Sequence, residues 1–159
     1  VLKSEDVEKF LEQSGIQGQI LRLEDPTPTV ELAARAVGAT PERIVKSILF
    51  LVEGEPVLAI TCGTDRVDRR AIASQYGVGR KKVKLAPPER VLEETGYEVG
   101  TLPPFAHRQP IPTLLDRRVL DQPEIYAGGG GERALLRIMP QDILAAARAQ
   151  VVDLTSPPE

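Results

Sequence analysis

The chain has 159 residues, a formal net charge of −3, one cysteine, one histidine and no tryptophan. That length predicts one domain with an ordinary buried core; a lone cysteine excludes an internal disulfide, and one histidine beside one cysteine excludes a His/Cys zinc site. No apolar run reaches bilayer length and no leader or lipidation signal is seen, so a soluble cytoplasmic protein is expected, with no membrane partner.

Ser4 is placed to cap a first helix whose apolar positions Val7, Phe10 and Leu11 share one face, with Gly15 as its stop. A short strand near Gln19–Leu23 follows, then a stiff loop at Asp25-Pro26-Thr27-Pro28. Thr29 caps a second helix over Val30–Val37, closed by Gly38, and Thr40-Pro41 starts a single further turn. Ile44 to Val52 reads I-V-K-S-I-L-F-L-V, a strand buried on both faces because apolar residues stand at consecutive positions. Glu53-Gly54-Glu55 turns it into a partner strand over Pro56–Thr61, a hairpin.

A third helix is predicted from Asp68 to Tyr76, an extended piece over Lys82–Leu85, and a fourth helix from Pro87-Pro88 to Gly96. The loop Gly100–Pro104 precedes a strand near Pro112–Leu115 and a short turn at Asp116. Strands near Glu124–Ala127 and Arg133–Ile138 flank Gly128–Gly131, and Pro140 opens a last helix over Gln141–Ala149. Helices and strands interleave irregularly around at least one hairpin, which predicts a mixed α+β domain over 1–154 and a loose tail over 155–159.

Lys46 is the one charged residue in its strand. An ammonium there loses hydration and must find a partner, line a wet cavity, or carry its head to solvent from the strand's start. Charge is also unevenly spread. Residues 66–84 hold Arg66, Arg69, Arg70, Arg80, Lys81, Lys82 and Lys84 against Asp68 alone. Such a segment on an acidic chain is either a phosphate-contacting patch or a solvated helix face followed by a lysine-protected strand edge.

Common catalytic signatures are absent: no G-x-S-x-G, no G-x-x-x-x-G-K and no H-E-x-x-H. His107 is a possible base or a structural residue of a proline-rich loop, and Cys62 reads as a buried small hydrophobe. An enzyme built this way works by positioning and by backbone donors. Gly100–Pro104 allows close approach to the main chain, and Gly128–Gly131 exposes N–H groups suited to an oxyanion or phosphate. The plainer alternatives are a stiff connector and a glycine-rich hairpin turn.

Lys46 within V-K-S-I-L-F, Gly100–Pro104 followed by Phe105, Asp116 after a short strand, and Ile125-Tyr126-Ala127-Gly128-Gly129 occur in this order. The ordered set resembles the YbaK/EbsC/ProX family, relatives of the editing insertion domain of bacterial prolyl-tRNA synthetases, over about Val7 to Ala147. Ala127 stands where YbaK proper often has serine, a departure from the cysteine-specific branch.

The resemblance implies a single α+β domain around a largely antiparallel, barrel-like sheet. It also implies trans-editing: hydrolysis of a mischarged tRNA ester, of the proline tRNA class, carrying a small amino acid such as cysteine or alanine. No metal and no organic cofactor are implied; mischarged tRNA is the expected partner, and a prolyl-tRNA synthetase is a further candidate. Lys46, Gly100 and Asp116 become the catalytic set. Ser47, Thr101, Leu102, Pro103, Pro104, His107, Gly128 and Gly129 become the substrate-binding set. From charge alone, Arg69, Arg70, Lys81 and Lys82 are expected to contact tRNA. A non-catalytic module holding a nucleotide, small ligand or protein in the same pocket is the alternative.

Overall fold

The computed structural model describes residues 1–155; residues 156–159, most of the expected tail, lie outside the described residues. Among the described residues, five α-helices and eight strands form a mixed α+β domain. The helices are α1 (Ser4–Ser14), α2 (Val30–Val37), α3 (Arg69–Tyr76), α4 (Pro88–Thr95) and α5 (Pro140–Ala147). Glycines in the left-handed conformation close the first four, at Gly15, Gly38, Gly77 and Gly96. Thr29 caps α2 by accepting the Leu32 N–H at 3.2 Å, and Asp68 caps α3 through the Arg70 N–H. Ser4 does not cap α1. It is the first helical residue, and the Asp6 carboxylate reaches back to the Lys3 N–H at 2.7 Å, a charge-assisted bond suited to a helix start.

The strands are β1 (Gly18–Arg22), β2 (Val45–Val52), β3 (Glu55–Cys62), β4 (Val83–Leu85), β5 (Thr113–Asp116), β6 (Ile125–Gly128), β7 (Ala134–Ile138) and β8 (Gln150–Val152). One sheet is antiparallel, in the order β1-β7-β6; the other is mixed, in the order β4-β2-β3-β5-β8. The expected antiparallel character holds for most pairs, but the sheets do not close into a barrel. Between them runs a single parallel bridge, Ile44 to Tyr126, where β6 passes beside the start of β2. The terminal segment is tied down as far as Thr155, which bridges Val67.

β2 is buried on both faces, as its consecutive apolar residues require. Val45 and Leu49 join the large core with Leu58, Ile60, Leu102, Phe105 and Leu136. Phe50 and Val52 join a second core with Ile72, Ala73 and Leu114 under α3. A third cluster, Ala33, Ala34, Ile44, Tyr126 and Leu135, lies under α2 where the sheets meet. Lys46 falls between the second and third clusters.

Candidate functional site

Lys46 lies two residues past the Ile44–Tyr126 bridge, and Gly128 lies two residues past it on β6. In a strand, residues two apart share a face. Lys46 therefore points to the same side as the missing side chain of Gly128, while Ser47 points the other way with Val45 and Leu49. Thr61, buried, is the cross-strand neighbour of Lys46 on β3. The lysine is half-buried, and its Nζ donates to the main-chain oxygen of Asp65 at 3.3 Å. Among the described residues no carboxylate forms an ion pair with it. An ammonium has three N–H donors, so one carbonyl leaves capacity for an incoming oxygen.

Asp65 belongs to the loop after β3, which runs close beneath α2. A Cβ on Gly63 would come within 2.6 Å of the Val30 side chain and 3.0 Å of the Ile44 oxygen. Only glycine lets the loop pass there.

The proline loop covers β6 at Gly128. A Cβ on Gly128 would overlap the Leu102 carbonyl oxygen, and the Thr101 oxygen lies 3.2 Å away. Main-chain carbonyls of Thr101 and Leu102 thus cross directly over β6. Gly130 donates its N–H to the Thr101 oxygen at 2.9 Å, and Thr101 Oγ1 donates to the Glu98 oxygen at 2.8 Å. The glycine run is a hairpin turn between β6 and β7 that also braces the proline loop. Its Gly130 N–H is committed to that loop and is not free for an anion. Gly129 packs its backbone against Ala134, where a Cβ would sit 2.7 Å from the carbonyl carbon.

Further along, Tyr97 Oη donates to the Ala106 oxygen at 2.9 Å. His107 Nε2 lies 2.8 Å from the Pro103 oxygen; a carbonyl only accepts, so Nε2 carries the proton. Burial pushes the His107 pKa below the ordinary imidazole value, with the bond to Pro103 opposing. Leu102, Pro103 and Pro104 are buried, whereas Gly100 is exposed with φ of 90°. Pro104 and His107 line a groove of about 1090 Å³ with Phe10 of α1 and Ala147 of α5. Lys46 does not line that groove.

Asp116 is 1% exposed and accepts the Leu154 N–H at 2.8 Å and the Arg118 N–H at 3.4 Å. Among the described residues it makes no hydrogen bond or ion pair with Lys46 or the proline loop. Cys62, at the end of β3, is buried, and burial pushes its thiol up to about 12, so it is not a thiolate nucleophile near neutrality. Ser47 Oγ is buried and has no hydrogen-bond partner. Among the described residues no group of three or more His, Cys, Asp or Glu is placed to hold a metal.

The four basic residues differ in what they offer. Arg70 is forked onto Asp68, with both bonds at 3.2 Å. Arg69 lies over the Phe50 ring at 5.9 Å. Phe50 stands on the Lys46 side of β2, about 13 Å along the strand by the usual rise. Lys81 and Lys82 are exposed in a short 3-10 turn, Arg80–Lys82, beside the β2–β3 hairpin, where the Glu53 N–H donates to the Lys82 oxygen at 2.9 Å. The helical-face and strand-edge reading therefore fits the placement of these charges as well as a phosphate track does.

Residues that sequence reasoning missed are Asp65, Arg118 and Leu154. Nothing in their local pattern marks them, because their contacts are made with the backbone or across long sequence separations.

A family model described as the aminoacyl-tRNA editing domain matches residues 24–146. An uncharacterized protein of Bacillus subtilis (strain 168), YwhH, is 27% identical over 128 residues, 80% of either chain. The proline–tRNA ligase of Streptococcus equi subsp. equi (strain 4047) is 27% identical over 110 residues, and the match spans only 18% of that enzyme. Among solved structures, a candidate trans-editing enzyme for prolyl tRNA synthetase superposes with a TM-score of 0.90 at 37% identity, covering 97% of each chain.

Proposed function

The chain belongs to the aminoacyl-tRNA editing domain family, and from that premise we propose that it is a trans-editing deacylase. Its substrate is a tRNA of the proline class mischarged with a small amino acid, alanine or cysteine. The observation that carries this reading is the pairing of an ammonium without a carboxylate partner, Lys46, with a backbone-lined wall at Gly128 and Leu102 on the same side of the sheet junction.

Lys46 binds a phosphate or ribose oxygen of the acceptor end and does not act as a base. A water attacks the ester carbonyl carbon, the bond to the ribose oxygen breaks, and that oxygen leaves with a proton as a hydroxyl. The neighbouring ribose hydroxyl assists, so no enzyme nucleophile is needed. An aminoacyl ester is already activated, and orientation plus stabilisation of the developing oxyanion suffices. The proline loop limits side-chain size. Because one methylene is worth only ~1–3 kcal/mol in a pocket, selection by a second hydrolytic site supplements selection during charging. The protein acts where tRNAs are charged, in the cytoplasm, and a prolyl-tRNA synthetase is the companion that would supply its substrate. Arg69, Lys81 and Lys82 add salt-sensitive, sequence-tolerant attraction for the tRNA backbone.

The test is a panel of tRNAs charged with alanine, cysteine, serine or proline, with ester loss followed over time. Faster loss from alanyl- or cysteinyl-tRNA of the proline class than from the prolyl form is expected. Hydrolysis of none would replace this reading by a binding module that uses the same pocket.

A further inference from the structure

Lys46 touches one fixed point, the Asp65 carbonyl, and that carbonyl is held by a closed ring of contacts. The Asp65 N–H donates to the Cys62 oxygen at 3.0 Å, and the Asp65 carboxylate lies 3.5 Å from Arg118 Nη1. The Arg118 N–H donates to Asp116, whose other oxygen accepts the Leu154 N–H. The Leu154 oxygen in turn accepts the Asp68 N–H at 2.7 Å, which returns to the loop that began the ring. Val67, between Asp65 and Asp68, bridges Thr155. Loop 63–68 is thus pinned at its start by the Gly63 N–H to the Ile44 oxygen, at its end by Leu154, and in the middle by Arg118 on the Asp65 side chain, opposite the Lys46 bond to the Asp65 carbonyl.

We propose that Arg118 is a positioning residue for Lys46, acting through Asp65. The proposal rests on the reading of Lys46 as the cation that binds substrate. It also gives buried Asp116 a role that direct contact does not: it anchors the backbone of Arg118 and, through Leu154, the far end of the same loop. Lys46 has a flexible stem and loses rotamer freedom when fixed. A rigid acceptor selects the position in which its remaining N–H groups meet the substrate. Without Arg118 the loop keeps its backbone bonds but Asp65 loses the contact on its side chain, so its carbonyl, and the ammonium with it, is held less tightly.

Arg118 is suited to a clean test because its side chain is 45% exposed, so its removal leaves no core cavity. In Arg118→Ala, kcat for deacylation is expected to fall on the order of ten- to a hundredfold, the scale of a misplaced catalytic group, with KM little changed. Arg118→Lys, which keeps a cation facing Asp65, should recover part of the loss. A second readout needs no activity: competitive acetylation of amines by acetic anhydride, with the Lys46-to-Lys84 labelling ratio read by mass spectrometry. That ratio should rise several-fold in Arg118→Ala and stay near wild type in Arg118→Lys. An unchanged ratio in Arg118→Ala overturns the proposal whatever the activity does. Wild-type kcat in a variant whose ratio has risen overturns the link to catalysis. If the wild-type protein hydrolyses no charged tRNA, the deacylase reading fails, while the labelling ratio still decides whether Arg118 positions Lys46.

Discussion

The proline-loop wall and the basic segment are both candidate substrate surfaces, and they are built on opposite principles. The wall is made of main chain: the Leu102 carbonyl approaches Gly128 more closely than any side chain would permit, and Gly130, Thr101, Tyr97 and His107 fix the loop by hydrogen bonds. In the basic segment, Arg69, Lys81 and Lys82 are exposed and spread over a helix and a 3-10 turn. Shape is set by a few backbone positions where substitution is intolerable. Charge is set by a sum over side chains, each of which is dispensable. In the proposed reading, discrimination between amino acids belongs to the wall, and capture of the polyanion belongs to the segment.

The largest effect that separates the two is expected at Gly128. In Gly128→Ala the new methyl overlaps the Leu102 oxygen; the methyl is fixed on Cα and its partner is a main-chain oxygen, so neither can rotate away. A loss of about 1–3 kcal/mol of stability is expected for such overpacking, together with loss of deacylation. Thermal unfolding beside a single-turnover assay checks both. A variant with wild-type melting and activity would show that the wall is looser than its geometry implies.

A smaller effect, in pH, probes how the wall is braced. The His107 pKa lies below its usual 6.5 because burial disfavours the imidazolium. Below pH 6.5 the unfolded chain takes up a proton that the folded chain still refuses. The contribution to stability is complete above 6.5 and is lost as pH falls toward the lower folded value. Wild-type melting temperature should drop between pH 7 and pH 5 by more than that of His107→Gln, whose amide can still donate to Pro103. Parallel drops in the two proteins would remove His107 from this account.

The smallest structural effect belongs to the basic segment. Lys81→Ala with Lys82→Ala should leave stability within about 0.5 kcal/mol of wild type, as for exposed side chains elsewhere. Binding of tRNA should weaken, and the slope of log K against log salt should flatten by about 0.7–0.9 for each phosphate that is no longer neutralised. An unchanged salt slope would confine the segment to protecting the β4 edge.

How much of this was legible in the sequence follows the range of the interactions. Local signals read well: Thr29 before α2, glycines at four helix ends and Glu53-Gly54 at the hairpin are decided within a few residues. The start of α1 lies one residue earlier than expected: Lys3 is the cap position, its N–H held by the Asp6 carboxylate, and Ser4 is already helical. β8 was not foreseen. Gln150–Val152 has only three residues and becomes a strand by parallel pairing with β5, a partner more than thirty residues away. The two-sheet arrangement was hidden for the same reason, since one bridge between Ile44 and Tyr126 decides where the sheets meet.

In the site, Lys46 announced itself because a charge in an apolar strand demands an explanation. Its partner did not, because that partner is a main-chain carbonyl, which every residue carries. Asp116 was singled out by resemblance, yet its contacts are with the Leu154 and Arg118 backbone. Ser47 followed Lys46 in the motif, but strand alternation turns it to the opposite face. The glycine run offered donors on paper, one of which is already used to hold Thr101.

The most direct test of the whole account is deacylation by Lys46→Ala. With mischarged alanyl-tRNA of the proline class in single-turnover conditions, the rate should fall on the order of a hundredfold or more, the scale of removing one oriented donor from a site. Thermal unfolding should remain close to wild type, since the half-buried lysine head makes one bond to a carbonyl. Wild-type hydrolysis by a folded Lys46→Ala protein would contradict the central claim that this ammonium binds the substrate.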